Sequence, residues 1–219
     1  MLNFVLWPSL LALFANAIAE WLLATNLDRP FHALNKSERI IRILRWLLCW
    51  FGLFIAYHII PSPLHLLPLT LFSISAATDL ETKFLPPDTF LYSSVLIGCG
   101  VAFLTNGPNG LCIAIATQAI CFALWTLGVA FFNLCDAGDI KLSMQFGAAC
   151  GSLASVGIAG FVVWLVACGV VLMGIAIGLR TKSFREAVRC AGVLRPPQGP
   201  LLWCGLLVAS LWQALGVTL

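Results

Sequence analysis

Two short segments carry the residues best suited to chemistry, ATDLETKFLPPD beginning at Ala77 and DAGDIKL beginning at Asp136. Each ends an apolar stretch with aspartate, Asp79 in the first and Asp139 in the second, sixty positions apart. Two close carboxyls in a low-dielectric site cannot both ionise cheaply, so one keeps its proton while the other stays charged. The charged member can take a proton from water while the protonated one donates to a carbonyl oxygen, which gives a tetrahedral intermediate without a metal. Gly138 leaves space for a substrate backbone beside Asp139. Pro86 and Pro87 break any helix, so Leu80 to Leu85 is expected as a loop, with Asp79 at a water-accessible boundary. Lys141 is available to pair with an aspartate or tune it. The same acidic residues, beside Lys83 and Lys141, also read as solvated loop charges, and boundary aspartates serve proton-coupled transporters as well.

The elements that must position these residues follow from composition. Of 219 residues, 61% are hydrophobic and 10% charged, whereas about a quarter of a soluble domain is charged. A spanning helix needs roughly 20 apolar residues. Apolar runs predict spans near 4–25, 46–60, 64–78, 89–104, 110–134, 140–157, 160–179 and 201–217. The expected fold is therefore an all-α polytopic membrane helix bundle of about eight transmembrane helices, forming a single membrane-embedded domain over 1–219. In this order Asp79 closes the third span and Asp139 follows the fifth, so both reach the same face.

Charge placement supports that order, because basic loops stay cytoplasmic. All twelve Lys and Arg fall on one side: Arg29, Lys36, Arg39, Arg42 and Arg45, then Lys83, then Lys141, then Arg180, Lys182, Arg185, Arg189 and Arg195. The opposite turns, Pro61 to His65, Thr105 to Asn109 and Gly157 to Gly160, hold no Lys, Arg, Asp or Glu. Both termini are expected outside, with both aspartates facing the cytoplasm. The net charge of +3 then reflects topology and attraction to anionic lipid, and no nucleic-acid partner is expected.

Other features support a bundle. Ala15-Asn16-Ala17 has the small-x-small form of a cleavage site, but Met1-Leu2-Asn3-Phe4 lacks a basic start, so the first segment is kept as a helix. Asn35 and Glu38 can form a capping box for a short amphipathic helix whose Arg39, Arg42 and Arg45 stripe lies on the inner lipid surface. Glu20 sits near the inner end of the first span, within reach of the interface. Gln118, Thr126 and Asn133 are expected on an inward face toward Asp136 and Asp139. Gly147 with Gly151, and Gly174 with Gly178, have the spacing that lets helix backbones approach. Nine cysteines stand singly, and His32, His58 and His65 lie in loops or at span ends. No metal site and no cofactor is expected from this scatter.

At its two acidic segments the chain resembles the prepilin peptidase family, membrane proteases of the GxGD aspartyl type that cut the leader from type IV prepilins and pseudopilins. The first motif is similar to Asp79 through Leu85-Pro86, and the second to Ala137-Gly138-Asp139-Ile140-Lys141-Leu142. The likeness is strongest over 64–179. It implies that Asp79 and Asp139 are catalytic, supported by Asp136, Gly138, Lys141 and Pro86. It also implies a bacterial inner membrane location with the active site toward the cytoplasm, and prepilin or pseudopilin substrates met at the lipid bilayer. The chain lacks the large loop with paired C-x-x-C motifs of the longer, methylating members, so it resembles the compact peptidase-only form, without zinc or methyl donor. Two departures stand out. Asp136 replaces the first glycine, giving DAGD and a third carboxyl near the pair, and Pro87 is in effect inserted before Asp88. Alternatives are a non-catalytic relative, a small proton-coupled transporter, or a lipoprotein signal peptidase-like enzyme, whose F-N-x-A-D segment resembles Phe132 to Asp136. The oligomeric state and the prepilin that is cut are not specified by the sequence.

Overall fold

The structure is a computed structural model that describes residues 2–27, 34–59, 63–82, 86–127, 137–150, 152, 156–163, 165, 169, 172, 176 and 198–215. Its elements are α1 (Leu2–Leu27), α2 (Lys36–Ile59), a 3-10 turn (Pro63–His65), α3 (Leu66–Thr82), α4 (Asp88–Leu127), α5 (Ala137–Cys150) and α6 (Gln198–Ala214). Residues 156–163 are also helical, and no strand occurs among the described residues. Leu6–Thr25, Lys36–Ile59 and Asp88–Leu127 are long and apolar enough to cross a membrane, while Leu66–Asp79 and Gly199–Trp212 are shorter apolar helices.

The segment after the first helix differs from the expected surface turn. The capping box forms: Glu38 N donates to Asn35 Oδ1 at 2.9 Å and Asn35 N donates to Glu38 Oε2 at 3.0 Å. From there one helix runs without a break from Lys36 to Ile59. Arg42 and Arg45 are buried and bind Glu20 of α1, so these two arginines tie helices together rather than lying on lipid. Arg39 remains exposed, its Nε donating to Leu34 O at 2.9 Å. Trp50 Nε1 donates to Ser9 Oγ at 2.9 Å, and with the Glu20 contacts this makes α1 and α2 antiparallel.

As one straight rod, the 40 residues of α4 would reach about 60 Å, twice the hydrocarbon thickness. They do not stay straight. Gly107 takes φ 62° and ψ −152°, a conformation glycine tolerates, and Pro108 follows without an N–H to continue the ladder. Gln118 Nε2 then reaches Cys99 Sγ at 2.9 Å, so the helix folds back into two arms, 88–106 and 108–127. These arms correspond to the fourth and fifth expected spans, and Gln118 faces the first arm. The seventh expected span falls mostly outside the described residues.

Three contacts fix the directions of the neighbouring helices. His65 Nε2 lies 3.5 Å from Thr105 Oγ1, which pairs the start of α3 with the end of the first arm of α4. Lys141 Nζ meets both carboxylate oxygens of Asp88 at 2.7 Å, pairing the starts of α5 and α4. Deeper in, Gly98 packs on Ala148, whose Cβ would lie 2.8 Å from a side chain at 98. The first arm therefore runs parallel to α5 and antiparallel to α3.

Close approach depends on glycine where expected at Gly147. A Cβ there would meet the Thr117 carbonyl oxygen and Gln118 Cα at 2.9 Å, while Thr117 Oγ1 donates to Gly147 O at 2.8 Å. Gly151, Gly174 and Gly178 lie outside the described residues. At the centre, α3 packs against α1, α2, α4, α5 and α6, and every residue from Phe72 to Asp79 is buried. Three of its hydroxyls bond to its own carbonyls, among them Thr70 to Leu66 at 2.6 Å and Ser73 to Thr70 at 2.7 Å. Large apolar side chains such as Leu13, Trp21, Leu96 and Leu104 face outward instead. The interior mixes Phe72, Phe146 and Leu53 with small and polar groups, and bulky apolar side chains also cover the outside, as on a surface that lipid solvates.

Candidate functional site

Asp79 stands in the last turn of α3 and Asp139 in the first turn of α5. Phe72 and Phe146 meet with ring centroids 5.8 Å apart. Each phenylalanine is seven residues, about 10.5 Å of helix rise, from the aspartate of its own helix. Because α3 and α5 are antiparallel, that equal spacing brings Asp79 and Asp139 to matching depth at one end of the bundle. Asp88, Lys141 and the start of α6 lie at the same end.

The surroundings of Asp79 correct one expectation. The helix runs through Leu80 to Thr82 rather than opening before it, and Asp79 is only 4% exposed. Its Oδ2 accepts a hydrogen bond of 2.6 Å from Gly199 N, at the start of α6. The last helix therefore closes over the aspartate that the sequence had placed at a water-accessible boundary. A Cβ on Gly199 would lie 2.8 Å from Ala76 Cα and 3.1 Å from Asp79 Oδ2, so only glycine fits this approach unstrained. Sequence reasoning missed Gly199. The available signal was Gln198-Gly199-Pro200 after Pro196-Pro197, a helix start at the same end of the bundle as Asp79.

The supporting residues divide. Lys141 pairs with Asp88, the first residue of α4, rather than with either aspartate of the pair. Pro86 is buried just before α4, and Pro87 O accepts Phe90 N at 2.9 Å, so the two prolines start a helix as well as stop one. Gly138 is half-buried at the start of α5, one residue from Asp139. Asp136, Lys83 and Asn133 lie outside the described residues, as do His32 and the basic segment 180–195. Buried polar groups continue inward from the pair: Ser75 Oγ on α3, and both Nε2 and Oε1 of Gln145 on α5, have no hydrogen-bond partner among the described residues.

An apolar cavity of about 260 Å³ lies between α2, α3 and α6. Ala76, Ala77 and Pro200, sequence neighbours of Asp79 and Gly199, form part of its wall, as do Arg45, Gly52 and Trp203. It is half-open, with the exposed Leu48 and Phe51 of α2 on its outer wall. Together these features define an all-helical protein with membrane-length apolar helices and acidic residues gathered at one end. No family model, curated protein or solved structure matches the chain.

Proposed function

We propose that the protein is an intramembrane aspartic endopeptidase that removes the leader of type IV prepilins or pseudopilins, with Asp79 and Asp139 as its catalytic pair. The observation that carries this reading is the matched depth of the two aspartates on antiparallel helices, one buried and held by a helix start, the other in the first turn of α5. In the reaction, one carboxylate removes a proton from water as the water oxygen adds to the scissile carbonyl carbon. The protonated carboxyl of the other gives its proton to the carbonyl oxygen. The tetrahedral carbon then collapses: the new hydroxyl returns a proton to the second aspartate, the C–N bond breaks, and the first aspartate protonates the departing amine. Both carboxyls end as they began, with one water consumed. An apolar cavity beside Asp79 suits a substrate whose cleavage point borders a hydrophobic helix.

The proposed setting is a bacterial inner membrane crossed about eight times, with the aspartates toward the cytoplasm. A phosphatase reporter fused after Asn106 should be active and one fused after Lys141 inactive; the reverse pattern would invert this topology. For the chemistry, a co-expressed prepilin with a short basic leader and a glycine before the cut is followed by its loss of mass. Asp79→Asn and Asp139→Asn should each lower leader removal at least about a thousandfold at unchanged protein level, because an amide cannot exchange the proton that is moved. Retained cleavage in either variant would remove that residue from the pair. The unpartnered Ser75 and Gln145 hydrogen-bonding groups favour a second reading, a proton path through a small transporter. Proton uptake by reconstituted vesicles, with no prepilin cleavage, would select it.

A further inference from the structure

The last helix meets Asp79 through a backbone group. Gly199 N donates to Asp79 Oδ2 at 2.6 Å across 120 positions of sequence, and the contact is buried. Asp79 sits near the C-terminal end of α3, where the helix carbonyls disfavour a negative charge. The N–H comes from the start of α6, a helix of 17 residues, whose N-terminal end favours one. Hydrogen bonding of this kind stabilises the ionised carboxyl. It also fixes Oδ2 as an acceptor, so a proton shared with Asp139 must reside on Oδ1 or on Asp139.

We propose that Gly199 is a positioning residue for Asp79: its N–H orients the carboxyl and lowers its proton affinity, and its lack of a side chain lets α6 close on α3. The inference deepens the aspartic-protease reading and rests on it for the consequence in cleavage, while the hydrogen bond itself stands on the geometry alone. The glycine is specific for steric reasons. A methyl group at 199 would push on Ala76 Cα and Asp79 Cβ, which are backbone-anchored and cannot swing aside. Other charges lie on the neighbouring helices. Asp139 comes from α5, Arg45 lies on α2 in the wall of the adjoining cavity and is bound to Glu20 of α1, and Asp88 of α4 is paired with Lys141. The described part of α6 carries no charged residue, so its contribution is the amide.

The test separates the amide from the bulk. Gly199→Ala adds a methyl and keeps the N–H; Gly199→Pro adds bulk and deletes the N–H at a helix start that tolerates proline. Both are purified full-length in detergent and treated with dicyclohexylcarbodiimide, which modifies protonated carboxyls, and the label is mapped by mass spectrometry. At neutral pH, Gly199→Pro should raise labelling of Asp79 about tenfold over the unmodified chain, well beyond Gly199→Ala. In cleavage assays, loss of the N–H raises the proton affinity of Asp79. The acidic limb of kcat/KM should then move to higher pH by about one unit in Gly199→Pro, equivalent to a tenfold change in proton binding. If a variant fails to accumulate, a semisynthetic chain with an ester between Gln198 and residue 199 removes the N–H without adding an atom, and the same labelling change is expected. Unchanged labelling of Asp79 in Gly199→Pro or the ester, or equal cleavage loss in both substitutions with an unmoved limb, would overturn the proposal. A labelling shift in a chain that cuts no prepilin would uphold the hydrogen-bond role and reject the protease reading instead.

Discussion

Two carboxylates inside this bundle are held in opposite ways. Glu20 of α1 is met by three side chains of α2: Arg42 Nη1 at 2.9 Å, Arg45 Nη2, and Trp46 Nε1 at 3.1 Å. Both guanidiniums are essentially fully buried, and the glutamate is 23% exposed. Asp79 is bound by a backbone amide from α6, which supplies direction without a unit charge and does not ionise near neutral pH. The first arrangement neutralises a carboxylate and joins two helices. The second leaves the carboxylate without a bound cation in that contact, at the end of the bundle where Asp139 also lies, as the proposed proton transfer requires. The two acids thus differ in the nature of their donors, guanidinium and indole for Glu20 and a backbone amide for Asp79.

The largest break in this comparison comes from Glu20→Gln. Removing one partner of a buried ion pair leaves uncompensated charge and typically costs about 3–5 kcal/mol, here with two buried guanidiniums exposed to the loss. The variant should accumulate poorly and melt at a markedly lower temperature in detergent. The molecules that do fold should cut prepilin at the unmodified rate. Replacing Glu20, Arg42 and Arg45 together by leucine should recover much of the stability, since apolar substitutes of similar volume commonly match a buried ion network. A Glu20→Gln protein that is as stable as the parent yet inactive would make Glu20 a chemical acid and dissolve the contrast with Asp79.

These two carboxylates also show what the sequence makes legible. The two aspartates stood out because each borders an apolar run, and they stand in the last turn of α3 and the first turn of α5. The capping box at Asn35 and Glu38 and the close approach at Gly147 were legible for a similar reason, since local spacing encodes them. The Glu20 cluster was not, because Arg42 and Arg45 recur on one helical stripe whether that stripe faces lipid headgroups or a buried carboxylate. Only the packing of α1 on α2 decides between them. Gly199 was hidden for a different reason: its contribution is an amide that every non-proline residue carries, and its partner lies 120 positions away. The prolines before α4 illustrate a third limit. Pro86 and Pro87 mark a helix boundary in sequence, but not that α3 continues to Thr82 before it.

The smallest expected effect sharpens the comparison from the side of Lys141. This lysine lies two residues beyond Asp139 in the second acidic segment, so it could be expected to set the charge of the pair, yet both of its short contacts go to Asp88. Lys141 is 35% exposed and Asp88 60%, and exposed ion pairs contribute little because water and salt screen them. Lys141→Met should therefore leave the melting midpoint within about 2 °C of the parent. Prepilin cleavage should stay within about twofold, with an unmoved acidic limb. Asp88→Asn should behave alike, and the double variant should equal either single one, since the two residues share one interaction. The contrast with Gly199→Pro is the informative part, because a unit charge near the pair would then matter less than one buried amide in contact with it. A limb that moves to higher pH in Lys141→Met but not in Asp88→Asn would mean that the ammonium acts on Asp79 or Asp139 through space. In that case the carboxyl pair would depend on a neighbouring cation after all, as Glu20 does.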